Sequence, residues 1–155
     1  MRWLAVDYGD ARTGLAVCDA GETIATPVTP QIEEKSLNKC AAAVAAVAAQ
    51  RGAEGLVCGL PRNMDGSEGA RAKTTRRFAA RLAAEAGMAV VLWDERRTTV
   101  TAAALLAQND TFGQKRKARL DAVSAAVLLE SFLQWRAAHP GTLPPDRIDP
   151  PEQER

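Results

Sequence analysis

The chain has 155 residues, 46% of them hydrophobic, and a formal net charge of +1. That length accommodates one core, and near-neutrality excludes a protein that holds nucleic acid by bulk charge alone. With one histidine, His139, and three widely spaced cysteines, Cys18, Cys40 and Cys58, the composition argues against histidine-based hydrolysis, a disulfide framework and zinc knuckles.

Trp3 to Val6 is an apolar run ending at Asp7-Tyr8-Gly9, and Gly14 to Cys18 is a second, so the two predict a hairpin. A third run, Thr23 to Thr29, contains Pro27 and is followed by Pro30, so it is expected to be an edge strand or to leave the sheet there. Glu33 to Arg51 repeats Leu37, Cys40, Ala41, Val44, Val47 and Ala48 at helical spacing. Leu56 to Leu60 is a short buried strand closed by Pro61, and a turn-rich loop follows through Asn63, Asp65 and Gly66. Gly69 to Glu85 is helical with a stop at Gly87, and Ala89 to Trp93 is another strand. A short helix is expected at about Thr99 to Gln108, and a last helix at Lys115 to Ala138.

The order βββαβαβαα predicts an α/β fold: a mixed five-stranded sheet, its first three strands antiparallel, with helices on both faces. Residues 1–138 form the domain. Residues 139–155, with five prolines between 140 and 151, read as a disordered or surface-draped tail. Residues 137–155 carry a net charge of −2, so the body before them carries +3. No apolar run approaches the ~20 residues that span a bilayer, which predicts a soluble, cytoplasmic chain with no membrane partner.

Without histidine to serve it, catalysis falls to carboxylates, hydroxyls or a metal. Asp7 stands where the first strand runs into a turn, and Asp94-Glu95 where the last strand ends. Neighbouring side chains on a strand point to opposite faces, so only one of Asp94 and Glu95 can join Asp7. Asp121 is lodged among Leu120, Ala122, Ala125 and Ala126 on the last helix, where an acid is expensive to bury without a cation or partner. Three acids, each beside a core element, make an oxygen-ligand set for Mg²⁺ or Mn²⁺, the cations that activate water in phosphodiester hydrolysis.

Four motifs occur in order over residues 3 to about 135: Asp7-x-Gly9-x-x-Arg12-x-Gly14-x-Ala16, Gly59-Leu60-Pro61-x-Asn63-x-Asp65-Gly66-Ser67-Glu68, Asp94-Glu95-Arg96-x-Thr98-Thr99 and Asp121-x-x-Ser124-Ala125. Together they resemble the YqgF family, also called RuvX. The resemblance implies an RNase H-like three-layer fold akin to the RuvC Holliday-junction resolvases, and a nuclease maturing the 5′ end of pre-16S rRNA. It implies Asp7, Glu95 and Asp121 as catalytic and metal-binding acids, with Asp94 the alternative second ligand. Arg97 departs from the apolar or aromatic residue usual in the family, and the Gly59-Leu60-Pro61 stretch offers no carboxylate until Asp65.

For the substrate, Lys73, Arg77 and Arg81 recur every four residues on one helix face with Arg76 beside them, and Lys115, Arg116, Lys117 and Arg119 precede Asp121. The motif residues Arg12 and Arg96 join them as expected phosphate contacts. The leading expectation is a metal-dependent endonuclease acting on structured RNA such as precursor rRNA. Its alternatives are a resolvase of four-way DNA junctions, which needs a dimer, and a noncatalytic RNA-binding module; the chain is accordingly expected as a monomer or a homodimer. A kinase-like nucleotide site is excluded by length, because it needs a second copy of the core, and no Walker-type lysine follows Gly66-Ser67.

Overall fold

The computed structural model describes residues 1–97 and 113–152, and side chains over 1–96 and 123–152. The elements are β1 (Trp3–Asp7), β2 (Thr13–Cys18), β3 (Ala25–Ile32), α1 (Leu37–Gln50), β4 (Gly55–Leu60), α2 (Ala70–Ala86), β5 (Val90–Asp94), a single 3-10 turn (Glu95–Arg97), α3 (Gly113–Ala138) and β6 (Arg147–Ile148). One six-stranded sheet has the order β3-β2-β1-β4-β5-β6. β1, β2 and β3 pair antiparallel as the hairpin pattern requires, while β4 and β5 join β1 in parallel through the α1 and α2 crossovers.

Alternation along the strands sorts the core into two halves. Leu4, Val6, Leu56, Cys58, Leu60, Val90 and Leu92 pack under α1 and α2. Trp3, Ala5, Val57, Val91 and Trp93 pack against α3 through Ala125, Leu128, Leu129 and Phe132. Phe132 meets Trp3 and Trp93 edge to face, at 4.8 and 5.5 Å between centroids. The result is the three-layer α/β arrangement expected, with α1 and α2 on one side and α3 on the other. Ser36 caps α1 by accepting from the Lys39 amide at 3.3 Å, and Gly87 ends α2 at φ +68°, the left-handed conformation that favours glycine.

The structure corrects the sequence reading at the C-terminus. Among the described residues the sheet has six strands, not five, because Arg147–Ile148 pairs antiparallel with Val90 and Val91 of β5, and the Leu92 amide donates to the Asp146 carbonyl at 2.8 Å. Two residues among prolines carry no strand periodicity, so the pairing partner had to supply the order. The short helix expected near residues 99–108 lies outside the described residues. All three cysteines are free thiols, and burial pushes each of them up in pKa.

Candidate active site

The alternation that builds the core also positions the acids. Trp3 and Ala5 face α3, so the next residue of that set on β1 is Asp7. On β4, Val57 faces α3 and is followed in that set by Gly59; on β5, Val91 and Trp93 lead to Glu95, the first residue past the strand. β4 lies between β1 and β5, with Gly59 opposite Trp93 and Leu60 opposite Asp94. Asp7, Gly59 and Glu95 therefore stand side by side at the C-terminal ends of three adjacent parallel strands.

Gly59 is what lets the two acids meet. A Cβ built there would lie 2.6 Å from Glu95 Oε1 and 2.9 Å from Glu95 Cγ, and would also strike Leu128 of α3. The Glu95 side chain thus lies across a bare stretch of β4 and shares a hydrogen bond with the Asp7 carboxyl. Burial pushes the Glu95 carboxyl above its ordinary pKa; the Asp7 hydrogen bond and the Arg71 guanidinium pull the other way, and Asp94 adds to the rise.

Asp94 has a different fate. It points to the opposite face and accepts from Arg96 through the amide at 3.0 Å, Nε at 2.9 Å and Nη2 at 2.5 Å. That guanidinium holds the Asp94 carboxyl below its usual range, and it also donates from Nη1 to the Met64 carbonyl at 3.3 Å. The pair forms a clip between the end of β5 and the loop after β4. Of the two candidates for a second acid, the structure brings Glu95 to Asp7 and commits Asp94 to Arg96.

Asp121 lies in α3, with its side chain outside the described residues, as do those of Lys115, Arg116, Lys117 and Arg119 on the same helix and of Arg97. Among the remaining basic residues, Lys73, Arg77 and Arg81 are exposed along α2, with Arg81 paired to Glu85 one turn on at 2.7 Å. Arg76 turns away from that stripe: its guanidinium grips Glu68 at 2.6 and 2.8 Å and Asp146 at 2.9 and 3.0 Å. Arg62 joins the same group, 3.1 Å from Asp146 and 3.7 Å from Glu68. Arg12 is 3.9 Å from Glu33, and Arg96 is occupied by Asp94.

Two site residues escaped the sequence reading as individuals. Gly59 carried a signal, since a glycine inside a buried strand marks a close approach, but it named no partner. Arg71 had no signal of its own: in the first turn of α2, it reaches toward Tyr8 and Asp10 on the turn after β1.

Two carboxyls in contact at a half-buried strand end persist when one keeps a proton or when a cation replaces it. The donor set of Asp7 and Glu95, all hard oxygen, therefore fits a divalent ion such as Mg²⁺ or Mn²⁺.

Residues 1–135 match the model of a family described as RuvX, Holliday junction resolvase. A relative from Ruegeria pomeroyi, named "Putative pre-16S rRNA nuclease", is 42% identical over 128 residues, covering 83% of this chain and 82% of its own. A relative of the same name from Myxococcus xanthus is 40% identical over 146 residues, covering 94% and 92%. Among solved structures, Thermus thermophilus RuvC in complex with a Holliday junction substrate aligns at a TM-score of 0.59 and 15% identity, over 89% of this chain and 96% of that one. At that identity the likeness speaks to the fold, and the fold is the three-layer arrangement described above.

Proposed function

The chain belongs to the RuvX family, and from that premise we propose that it is a metal-dependent endonuclease that hydrolyses phosphodiester bonds in structured nucleic acid. The observation that carries this reading is the meeting of Asp7 and Glu95 across the bare backbone of Gly59. Its nearest substrate is precursor 16S rRNA, as the names of the relatives suggest, and the family resemblance adds that the cut falls at the 5′ end. The family description and the junction-bound fold neighbour favour a second substrate, a four-way DNA junction, which two copies of the chain would have to cut in pairs.

Asp7 and Glu95 would hold Mg²⁺ or Mn²⁺, with Asp121 contributed from α3. Helical periodicity supports that third member, because positions 121, 125 and 128 share one face of α3, and Ala125 and Leu128 are buried toward the sheet. A bound divalent ion supplies activation of the attacking water and neutralisation of charge on the phosphoryl oxygens. The protein's own part is positional. β2 pairs the Asp7 backbone opposite Gly14, β4 pairs the preceding Val6 opposite Cys58, and Gly59 leaves Glu95 the space to reach Asp7. The Asp94–Arg96 clip holds the residues on either side of Glu95, so this carboxylate cannot swing to the far face of the sheet. No helix among the described residues is long and apolar enough to cross a membrane, and the reading assigns the enzyme to the cytoplasm, where rRNA is processed.

The test is cleavage of an RNA carrying the 16S 5′ precursor stem, and of a four-way DNA junction, with Mg²⁺ or Mn²⁺. Asp7→Asn, Glu95→Gln and Asp121→Asn are each expected to cut at least ~10²-fold more slowly than the parent chain. Parent-level cutting by all three variants would overturn the reading, and loss with the first two alone would remove Asp121 from it.

A further inference from the structure

Among the described residues, a cation whose charge acts on the acid pair is not one of those that the basic stripes suggested. Arg71, in the first turn of α2, donates from Nη2 to the Tyr8 carbonyl at 3.4 Å and sits 3.5 Å from an Asp10 oxygen through Nη1. Tyr8 is the residue after Asp7, and the charge of Arg71 is felt at Glu95 as well. The guanidinium thus reaches from α2 to the turn that follows β1 and Asp7, close enough for its charge to act at Glu95.

A structural purpose accounts poorly for this placement. Both contacts are at the outer limit of hydrogen-bond distance, and the side chains of Arg71 and Asp10 are 60% and 88% exposed, so water competes for each of them. A cation in the first turn also works against the helix dipole rather than with it. Arg76, five residues on, shows the alternative: a half-buried guanidinium with bonds of 2.6 to 3.0 Å on two carboxylates. Arg71 has the planar fork of five donors and, among the described residues, uses it on two long contacts.

We propose that Arg71 grips the phosphate to be cut, laying its guanidinium fork on the non-bridging oxygens and holding that group over Asp7 and Glu95. This rests on the nuclease reading and names the residue that positions the substrate within it. A bidentate fork matches the spacing of phosphate oxygens, which a lysine ammonium does not reproduce. Because the phosphate gains negative charge as water adds, the same contact strengthens on the way to the transition state. The weak hold of Asp10 then has a use: it keeps the fork near its working place and gives way to a stronger anion.

The experiment compares the full-length parent, Arg71→Ala and Arg71→Lys. Binding of a four-way DNA junction and of the 16S precursor stem is followed by fluorescence anisotropy in EDTA over a salt series, and cleavage is followed separately with Mn²⁺. Arg71→Ala is expected to lower the slope of log affinity against log salt by ~0.9, the loss of one phosphate contact. Its kcat is expected to fall ~10²-fold with a smaller rise in KM. Arg71→Lys should keep the parent slope, having kept the charge, while losing most of kcat. A parent slope and parent kcat in Arg71→Ala would overturn the proposal, as would a lowered melting temperature with the slope unchanged, which would make Arg71 a structural clip. Should the parent chain cut neither substrate, the nuclease reading falls, and the EDTA slopes alone decide whether Arg71 holds a phosphate.

Discussion

Gly59 is the smallest residue of the site and the one whose change has the sharpest expected consequence. Gly59→Ala puts a methyl group 2.6 Å from Glu95 Oε1 and against Leu128, so the Glu95 and Leu128 side chains must both shift to admit it. Overpacking of this kind costs about 1–3 kcal/mol, measurable as a shift in the urea midpoint. Cleavage should fall ~10²-fold even where the protein remains folded, because Glu95 can no longer lie across β4 to Asp7. Parent-level cleavage by a folded Gly59→Ala would show that the contact between the acids is dispensable. The Asp94 and Glu95 pair shows how much of the site can be read at this scale. Strand alternation predicts that one of the two joins Asp7; which one depends on which side of the sheet Trp93 takes, and its packing against Phe132 of α3 decides that.

Among the elements, β6 matters beyond its two residues. Asp146, just before it, accepts from Arg62 and Arg76, and Glu68 completes the group, so the C-terminal segment is tied to α2 and to the loop after β4. Asp146→Ala leaves two guanidiniums with only Glu68 between them. The expected loss is roughly 1–2 kcal/mol in low salt, since these side chains are about one-third exposed. It should shrink toward zero in ~1 M salt, where screening acts over only ~3 Å. Urea unfolding of both chains at the two salt concentrations measures this; no loss at either would mean that Asp146 acts through its backbone pairing alone. Arg76 was legible as a basic residue on α2 but not as this anchor, because its partner is 70 residues away and no periodicity links them.

For the molecule as a whole, the paired acids set how stability depends on pH. Arg136 holds the Glu22 carboxyl below its ordinary value, with the N-terminal ammonium contributing, and Arg76 does the same for Glu68. A carboxyl lowered in the folded state contributes stability that is complete above the unfolded value of ~4.3 and is lost as pH falls through the lowered one. Stability is therefore expected to be level from about pH 7 to pH 5 and to decline below about pH 4. Glu95, raised by burial, works in the opposite sense, so the informative comparison is Glu22→Gln against the parent chain. Urea midpoints between pH 7 and pH 3 should fall less steeply for Glu22→Gln; identical profiles would remove the Glu22–Arg136 pair from the account.

The sequence by itself determined the layers and the strand ends. Alternation and helical spacing are local, and they marked out the strands and helices; that Trp3, Val57 and Trp93 share one face is a result of the assembled sheet. The same local rule put acids at the ends of β1 and β5 and raised a divalent ion as the group they suit. Only the tertiary structure decided what those acids meet. It chose Glu95 over Asp94, made the missing side chain of Gly59 the space between two carboxyls, brought Arg71 to the turn after β1, and drew Asp146 onto Arg62 and Arg76. Each of these depends on contacts between segments far apart in the chain, and such contacts leave no period in the sequence, because the energy that selects them exists only once the sheet has brought the segments together.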